Sequence, residues 1–529
     1  MASNVVPGQR DDTVKVEPVV TLRTIRSDSS GLSGPSKGDV EGVVGVFDAV
    51  RKNPVAFSWS IYAIFVMVTS AYTNSISGSV LGIPQFRKDF GYQFGGHYVL
   101  PAAWQAAYYG ATNAAGVVGA FLAANVADQW GRKITFTFLL AFKFLSITLE
   151  FVATTNQVYF GGILLSGFCA GGFGTLCMTY IGEIAPQRLR GVLTAAAPIS
   201  MTLGSLTASL IINFTGDQKT HWAYRTAFAS EYSFAGFTAL FLPFIPESPW
   251  WSTDRRNDGE ALESLAKLGY DPSSAEVHLS LIKRTLAKTK NETMGATYLE
   301  CFRRSNLRRT IVSLMPLACQ ALIGVSFVAS YSTYYQQLAG FSTQASFHLS
   351  IVQGLLSLVG NICSLFLIDR VGRRSLSFWG LCLLTLLLLL TGGLAVAATP
   401  GAIKGTVALL LLYCFVFNVT IGATAYTILA EIPTPRLRVK TASMAFALEN
   451  GLFTMWGFVL PYLFNPDKAN LGAKVTFIFG ALSILCTIYL WVFQPECSHL
   501  SFEELDELFM NKVPARKFKT RQSLDQANV

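Results

Sequence analysis

Acidic and cationic side chains recur along this chain in short, fixed arrangements. Asp128 precedes Arg132 in DQWGRK, Glu183 precedes Arg190 in EIAPQRLRG, and Glu247 follows Pro246 in PESPW. The second half repeats the series with Asp369, Arg373 and Arg374 (DRVGRR), Glu431 and Arg438 (EIPTPRLRV) and Glu496 (PECSH). Carboxylates beside guanidinium groups form charge-assisted bonds, and partly desolvated pairs can latch two bodies shut on one side and part when it opens. A simpler reading leaves the cations to membrane insertion and lipid headgroups; it suits Lys133 and Arg188, but it does not call for the paired acids. Other chemistry finds few residues. The nine cysteines and the histidines (His97, His221, His278, His348, His499) show no CxxC and no zinc spacing, so neither metal site nor cofactor is expected. No nucleophile constellation or phosphate-binding Gly-rich loop sits on a soluble domain, which argues against an enzyme.

The elements that must position these charges are apolar. Of 529 residues, 51% are hydrophobic and 14% charged, about half the charge of an average soluble domain. The spacing predicts twelve membrane-spanning helices, at about 57–80, 103–127, 134–155, 157–181, 191–213, 227–246, 310–336, 345–368, 375–397, 404–427, 440–464 and 472–494. The expected organisation is a disordered N-terminal tail (1–56), a six-helix bundle (57–246), a helical linker (247–309), a second six-helix bundle (310–494) and a C-terminal tail (495–529). The first residues carry no cleavable signal pattern, so the first span serves as its own insertion signal. An even number of spans puts both termini on one side. Arg132 and Lys133, Arg188 and Arg190, Arg370, Arg373 and Arg374, and Arg436, Arg438 and Lys440 fall on alternate loops, which are therefore expected to face the cytoplasm together with both termini and the linker. The net charge of +9 is then topogenic, and a nucleic-acid partner is not expected. On the opposite side, Asn213-Phe214-Thr215 is a glycosylation sequon in the loop after the fifth span.

A few charges fall inside the spans. Glu449 lies nine residues beyond Lys440, about 13 Å deep in the eleventh span. An ionised acid there costs several kcal/mol unless paired, hydrated or protonated. It is a candidate proton carrier, or a partner for a polar or cationic group of the substrate, or one half of a structural pair with Lys143 of the third span. Glu150 and Glu231 fall near outer helix ends and are expected to snorkel to the interface.

The three repeated motifs are offset by 241, 248 and 249 residues, each pair following the corresponding span of its set of six. Two such halves, related by an axis along the membrane normal, suit a carrier that rocks about a central site. At this point the chain resembles the sugar porter family of the major facilitator superfamily. The resemblance rests on D-R-x-G-R-R after the second and eighth spans, E-x-x-P-x-x-x-R-G after the fourth, PESPWW after the sixth and PECSHLSFEELDELF at the end, over about 57–510. YSTYYQQLAGF (331–341) and ILAEIPTPRLRVKT look most like fungal α-glucoside (maltose-type) permeases.

The resemblance implies an all-α membrane protein of the major facilitator fold whose sugar site is lined by amides, hydroxyls and aromatics. Gln320 takes the first position of the family's Gln-Gln pair in the seventh span, with Ala321 in the second. Ser326 stands for a later Asn, Tyr426 for the aromatic before the acid of the tenth span, and Asn450 for an amide of the eleventh. A lone Gln or Tyr in a bundle also serves simply to bond helices together. Proton-coupled relatives resemble one another in an Asp of the first span and often an Arg of the fourth; here those positions fall on Thr73 and about Ile163, and the Gln of the fifth span is replaced near Pro198 or Ser205. The reading is a monomeric plasma-membrane carrier that moves a hexose or α-glucoside by alternating access, with or without proton symport. The alternative is a sugar-porter-like carrier for another small metabolite. A nutrient sensor of this fold would carry a longer C-terminal tail.

Overall fold

The computed structural model describes residues 49–518 apart from 95, 294–296, 398, 435, 499, 501 and 512. Nearly all of the expected N-terminal tail lies outside the described residues, as do the side chains of Arg188 and Arg190. Pro54 and Pro400 open the first and tenth spans, where a missing N–H costs nothing, and the hydroxyls of Thr155, Ser342 and Thr399 cap the fourth, eighth and tenth. The spans are Pro54–Ser79, Ala102–Trp130, Arg132–Val152, Asn156–Ile184, Gln187–Thr215, Trp222–Phe241, Leu307–Leu338, Thr343–Val371, Arg373–Ala397, Pro400–Glu431, Arg438–Phe464 and Gly472–Phe493. Ten of these twelve are long and apolar enough to cross a membrane. The other two, the sixth and eleventh, have 20 and 27 residues, about the 30 Å or more that a bilayer core requires. Their apolarity is lowered by Arg225 and Glu231 in one and by Glu449 and Asn450 in the other.

Small residues set the packing inside the first half. Spans two and four approach so closely that a Cβ on Gly171 would meet the Gly116 carbonyl, and one on Gly119 that of Phe168. Four helices (Pro249–Asp254, Asp258–Lys267, Pro272–Thr293, Tyr298–Cys301) connect the halves, and Phe502–Met510 follows the last span, with Leu505 and Phe518 buried against Val312, Ile428 and Ile432. At the other end a two-stranded hairpin pairs Tyr92–Phe94 with His97–Val99.

The halves meet chiefly through spans two and eleven and spans five and eight. Their specific bonds gather away from the basic loops: Tyr92 to Asp467 (2.8 Å), Gln105 to Asn465 (3.0 Å), Gln337 to the Gly82 carbonyl (2.7 Å), Ser209 to Ser350 (2.9 Å) and, at mid-depth, Asn361 to Thr202 (2.7 Å).

Asn213 lies in the last turn of the fifth span with its amide oxygen buried, not in an exposed loop. The sequon therefore does not occupy the position on an outer loop that its pattern suggested, because the helix runs two residues past it.

Candidate functional site

The repeated motifs build one device twice. Gly131 (φ +94°) and Gly372 (φ +90°) open the third and ninth spans in a backbone conformation that only glycine adopts readily. The exposed N-terminus of each helix is then capped by an acid from a distant motif. Glu247 accepts the backbone N–H groups of Arg132 (2.7 Å) and Lys133 (3.1 Å), and Glu496 those of Arg373 (2.9 Å) and Arg374 (3.1 Å). The arginine side chains turn to the next acid: Arg132 binds Glu183 through two nitrogens (2.9 and 2.6 Å), and Arg373 binds Glu431 (2.9 Å). Asp128 and Asp369 add outer pairs at 3.5 and 3.0 Å. Arg374 lies over the Trp491 ring and bonds its carbonyl. Each of these ion pairs joins residues of the same half, so in this conformation they brace each half rather than latch the two together. Arg438 begins the eleventh span at the same end, and Arg190 lies in the first turn of the fifth.

Two spans of the second half are broken near mid-depth. The seventh divides into Leu307–Leu322 and Val325–Leu338 around Gly324 (φ +94°), and the tenth into Pro400–Val419 and Ile421–Glu431 around Thr420. Gln320 ties the breaks together: its Nε2 donates to the Ile421 (2.7 Å) and Gly422 (3.2 Å) carbonyls. Tyr413 donates to the Ile323 carbonyl (2.7 Å). The Gln320 amide nitrogen is thus committed to carbonyls in the first turn after the tenth-span break, leaving its carbonyl oxygen for other partners. The Ser326 hydroxyl, just past the break, has no partner. Tyr426 is 40% exposed, lies beside Phe446 and comes close to Glu449, which is buried. Asn450 turns its Nδ2 back to the Phe446 carbonyl (2.8 Å). Discontinuous spans with polar side chains at the breaks are where carriers place ligands.

Sequence reasoning missed the aromatic seam where the halves meet. A π-helical turn, Ala107–Ala111, interrupts the second span and turns Tyr109 onto Tyr331, ring centroids 4.9 Å apart. Phe464 packs against Phe327, Tyr331, Tyr334 and Tyr335. The Tyr331 and Tyr334 hydroxyls and the Trp456 indole nitrogen are buried without partners, and such groups gain from a hydroxyl-rich ligand that supplies them. The run of tyrosines in an apolar span was the available signal.

The deep charges pair differently from expectation. Lys143 bonds Glu231 (2.5 Å), Thr73 (2.7 Å) and Ser166 (3.2 Å), and Thr73 donates to Glu231 (3.1 Å). Lys143 therefore does not neutralise Glu449. Glu231 (0% exposed) and Glu150 (1%) do not snorkel; they face the interior of the first half because their helix faces pack on spans one and four rather than lipid. Thr73 lies at the centre of this cluster.

The sequence profile of the sugar (and other) transporter family matches residues 59–509. A general alpha-glucoside permease of Saccharomyces cerevisiae is 28% identical over 483 residues, covering 89% of this chain and 78% of that protein. The alpha-glucosides permease MPH3 of the same organism is 31% identical over 489 residues, covering 89% and 80%. Among solved structures, the inward-open xylose transporter XylE from E. coli superposes with a TM-score of 0.70 at 20% identity, covering 86% of this chain and 99% of that one. The arrangement of two six-helix halves is the major facilitator fold, and the chain belongs to the sugar (and other) transporter family.

Proposed function

We propose that the chain carries a sugar, of the α-glucoside or hexose class, by alternating access between its halves. The observation that carries this reading is the pair of broken spans, the seventh and tenth, tied together by Gln320 near mid-depth with Ser326 unpartnered beside the break. Names of relatives supply the substrate class, since the similar yeast proteins are alpha-glucoside and maltose permeases. In this reading the Gln320 carbonyl, Ser326, Tyr426 and Asn450 meet the sugar hydroxyls. Glu449 accepts from a hydroxyl or carries a proton. Neutral polyols need such donors and acceptors together with an aromatic face.

The basic loops face the cytoplasm with both termini, and the carrier works as a monomer in the plasma membrane. The end away from the bonds at Tyr92, Gln105 and Gln337 is then the cytoplasmic one. The clusters about Arg132 and Arg373, with Arg190 and Arg438, regroup between the halves when that end closes, and the bonds at Tyr92, Gln105 and Gln337 break.

Counterflow tests the reading. Purified protein in proteoliposomes loaded with unlabelled maltose or glucose should take up the labelled sugar without any ion gradient. No exchange of either sugar by folded protein transfers the assignment to a carrier of another small metabolite.

A further inference from the structure

Glu150, Glu231 and Lys143 are buried together inside the first half. Lys143 and Glu231 form the 2.5 Å pair, with Thr73 bonded to both. Glu150 lies two turns beyond Lys143 on the same face of the third span, about 10 Å along its axis. Ser146 bonds Glu150 Oε1 (3.1 Å), and Ser166, which accepts from Lys143, lies within reach of the same carboxyl. Glu150 Oε2 and Glu231 Oε1 are both buried without a hydrogen-bond partner. The other titratable groups facing the cluster are Tyr72 of the first span and Tyr159 and Cys169 of the fourth, all uncharged near neutral pH. Lys143 is the one cation acting on Glu150 among the described residues.

With both acids ionised the cluster carries an uncompensated negative charge in a low-dielectric interior, a state that costs several kcal/mol. One proton removes it. We propose that this cluster is a proton-binding site holding one exchangeable proton on Glu150, linked through Ser166 and the Lys143–Glu231–Thr73 group to the basic end of the bundle. The loading step is Glu150–COO⁻ plus H₃O⁺ giving Glu150–COOH plus water. A narrow cavity lined by Thr69, Ser70, Thr73, Lys143, Cys169 and Thr238 leads from the group towards the basic end and has room for about one water. Hydroxyls and water along this line give a proton a route, and a neutral cluster differs from a charged one in how tightly spans one, three, four and six hold together. The site is separate from the sugar residues of the second half and stands whether or not the cargo is a sugar.

Proton counting on the full-length protein tests it without substrate. Infrared pH titration should show one protonated carboxyl fewer in Glu150→Gln than in the unsubstituted chain. Lys143→Gln should show one more, because both acids then lack a cation. An unchanged count in Glu150→Gln, or no gain in folded Lys143→Gln, overturns the proposal. If Lys143→Gln does not fold, the charge-balanced Lys143→Gln/Glu231→Gln chain decides instead, and it must retain the unsubstituted count. In proteoliposomes, Glu150→Gln should keep maltose counterflow and lose accumulation driven by a proton gradient; accumulation that persists also overturns the site. Absence of counterflow in the unsubstituted chain overturns the sugar reading only, since the proton count needs no sugar.

Discussion

Substitution of Gly131 by Ala tests whether the helix-capping acids explain the repeated glycine motif. Gly131 sits at φ +94° and ψ 167°, a region that side-chain-bearing residues enter at a cost of about 1–3 kcal/mol. The added Cβ would also lie 2.6 Å from Glu247 Oε2. Relief of that contact moves the carboxylate off the N–H groups of Arg132 and Lys133, and hydrogen bonds to a charged group are worth about 1.5–3 kcal/mol each. Loss of one of them together with the backbone strain gives about 2.5–6 kcal/mol. Thermal unfolding of purified Gly131→Ala, followed by tryptophan fluorescence, should show a large fall in Tm. Gly174→Ala, where an added Cβ meets nothing within 4 Å, should show almost none. The double-mutant cycle isolates the cap: in a Glu247→Ala background the same Gly131→Ala change should cost only the backbone strain. An equal loss in both backgrounds, or a Tm within a degree or so of the unsubstituted chain, would refute the reasoning. Gly372→Ala with Glu496 provides the same experiment in the second half, at a contact of 2.7 Å.

Gln320→Leu removes two bonds to the Ile421 and Gly422 carbonyls, worth about 0.5–1.5 kcal/mol each, and should lower Tm along with counterflow, whereas Ser326→Ala should raise KM and leave Tm in place. Tyr92→Phe removes one bond between the halves at the closed end; stability should change by less than about 1.5 kcal/mol, while a cysteine placed in the seam beside Tyr331 becomes more reactive to an impermeant thiol reagent. For Glu449→Gln, an unchanged pH profile of transport removes the proton-carrier role and leaves Glu449 as a substrate contact. Tyr426→Phe should weaken sugar binding in either case, since the sugar loses a half-exposed hydroxyl partner.

The two halves divide the work unequally. The first and fourth spans run unbroken, and the first half contains the buried ion cluster; the corresponding seventh and tenth spans of the second half are broken. Pseudo-symmetry therefore holds at the basic end, where the motif sequences repeat, and lapses at mid-depth, where no paired motif constrains the chain. Equivalent backbones with different interiors let one half hold charge and the other hold broken helices beside polar side chains.

The amino-acid sequence by itself determined the number of spans, their order and their duplication, because apolar length and basic loops are local properties that a bilayer reads directly. It also marked the acids and arginines of the motifs, since charge pairs at helix ends have fixed spacing. Which acid meets which arginine was decided by the fold: the reach from Glu247 to Arg132 crosses 115 residues, and spacing alone suggested contacts between halves where the structure places them within each half. The partner of Lys143 was likewise a tertiary matter. Glu231 is 88 residues away on another span, and the rotation of each helix decides whether an acid near its end faces lipid or the core. The helix breaks at Gly324 and Thr420 needed the bundle as well: Tyr413 of the tenth span bonds the Ile323 carbonyl beside one break, and Gln320 of the seventh bonds the Ile421 and Gly422 carbonyls beside the other.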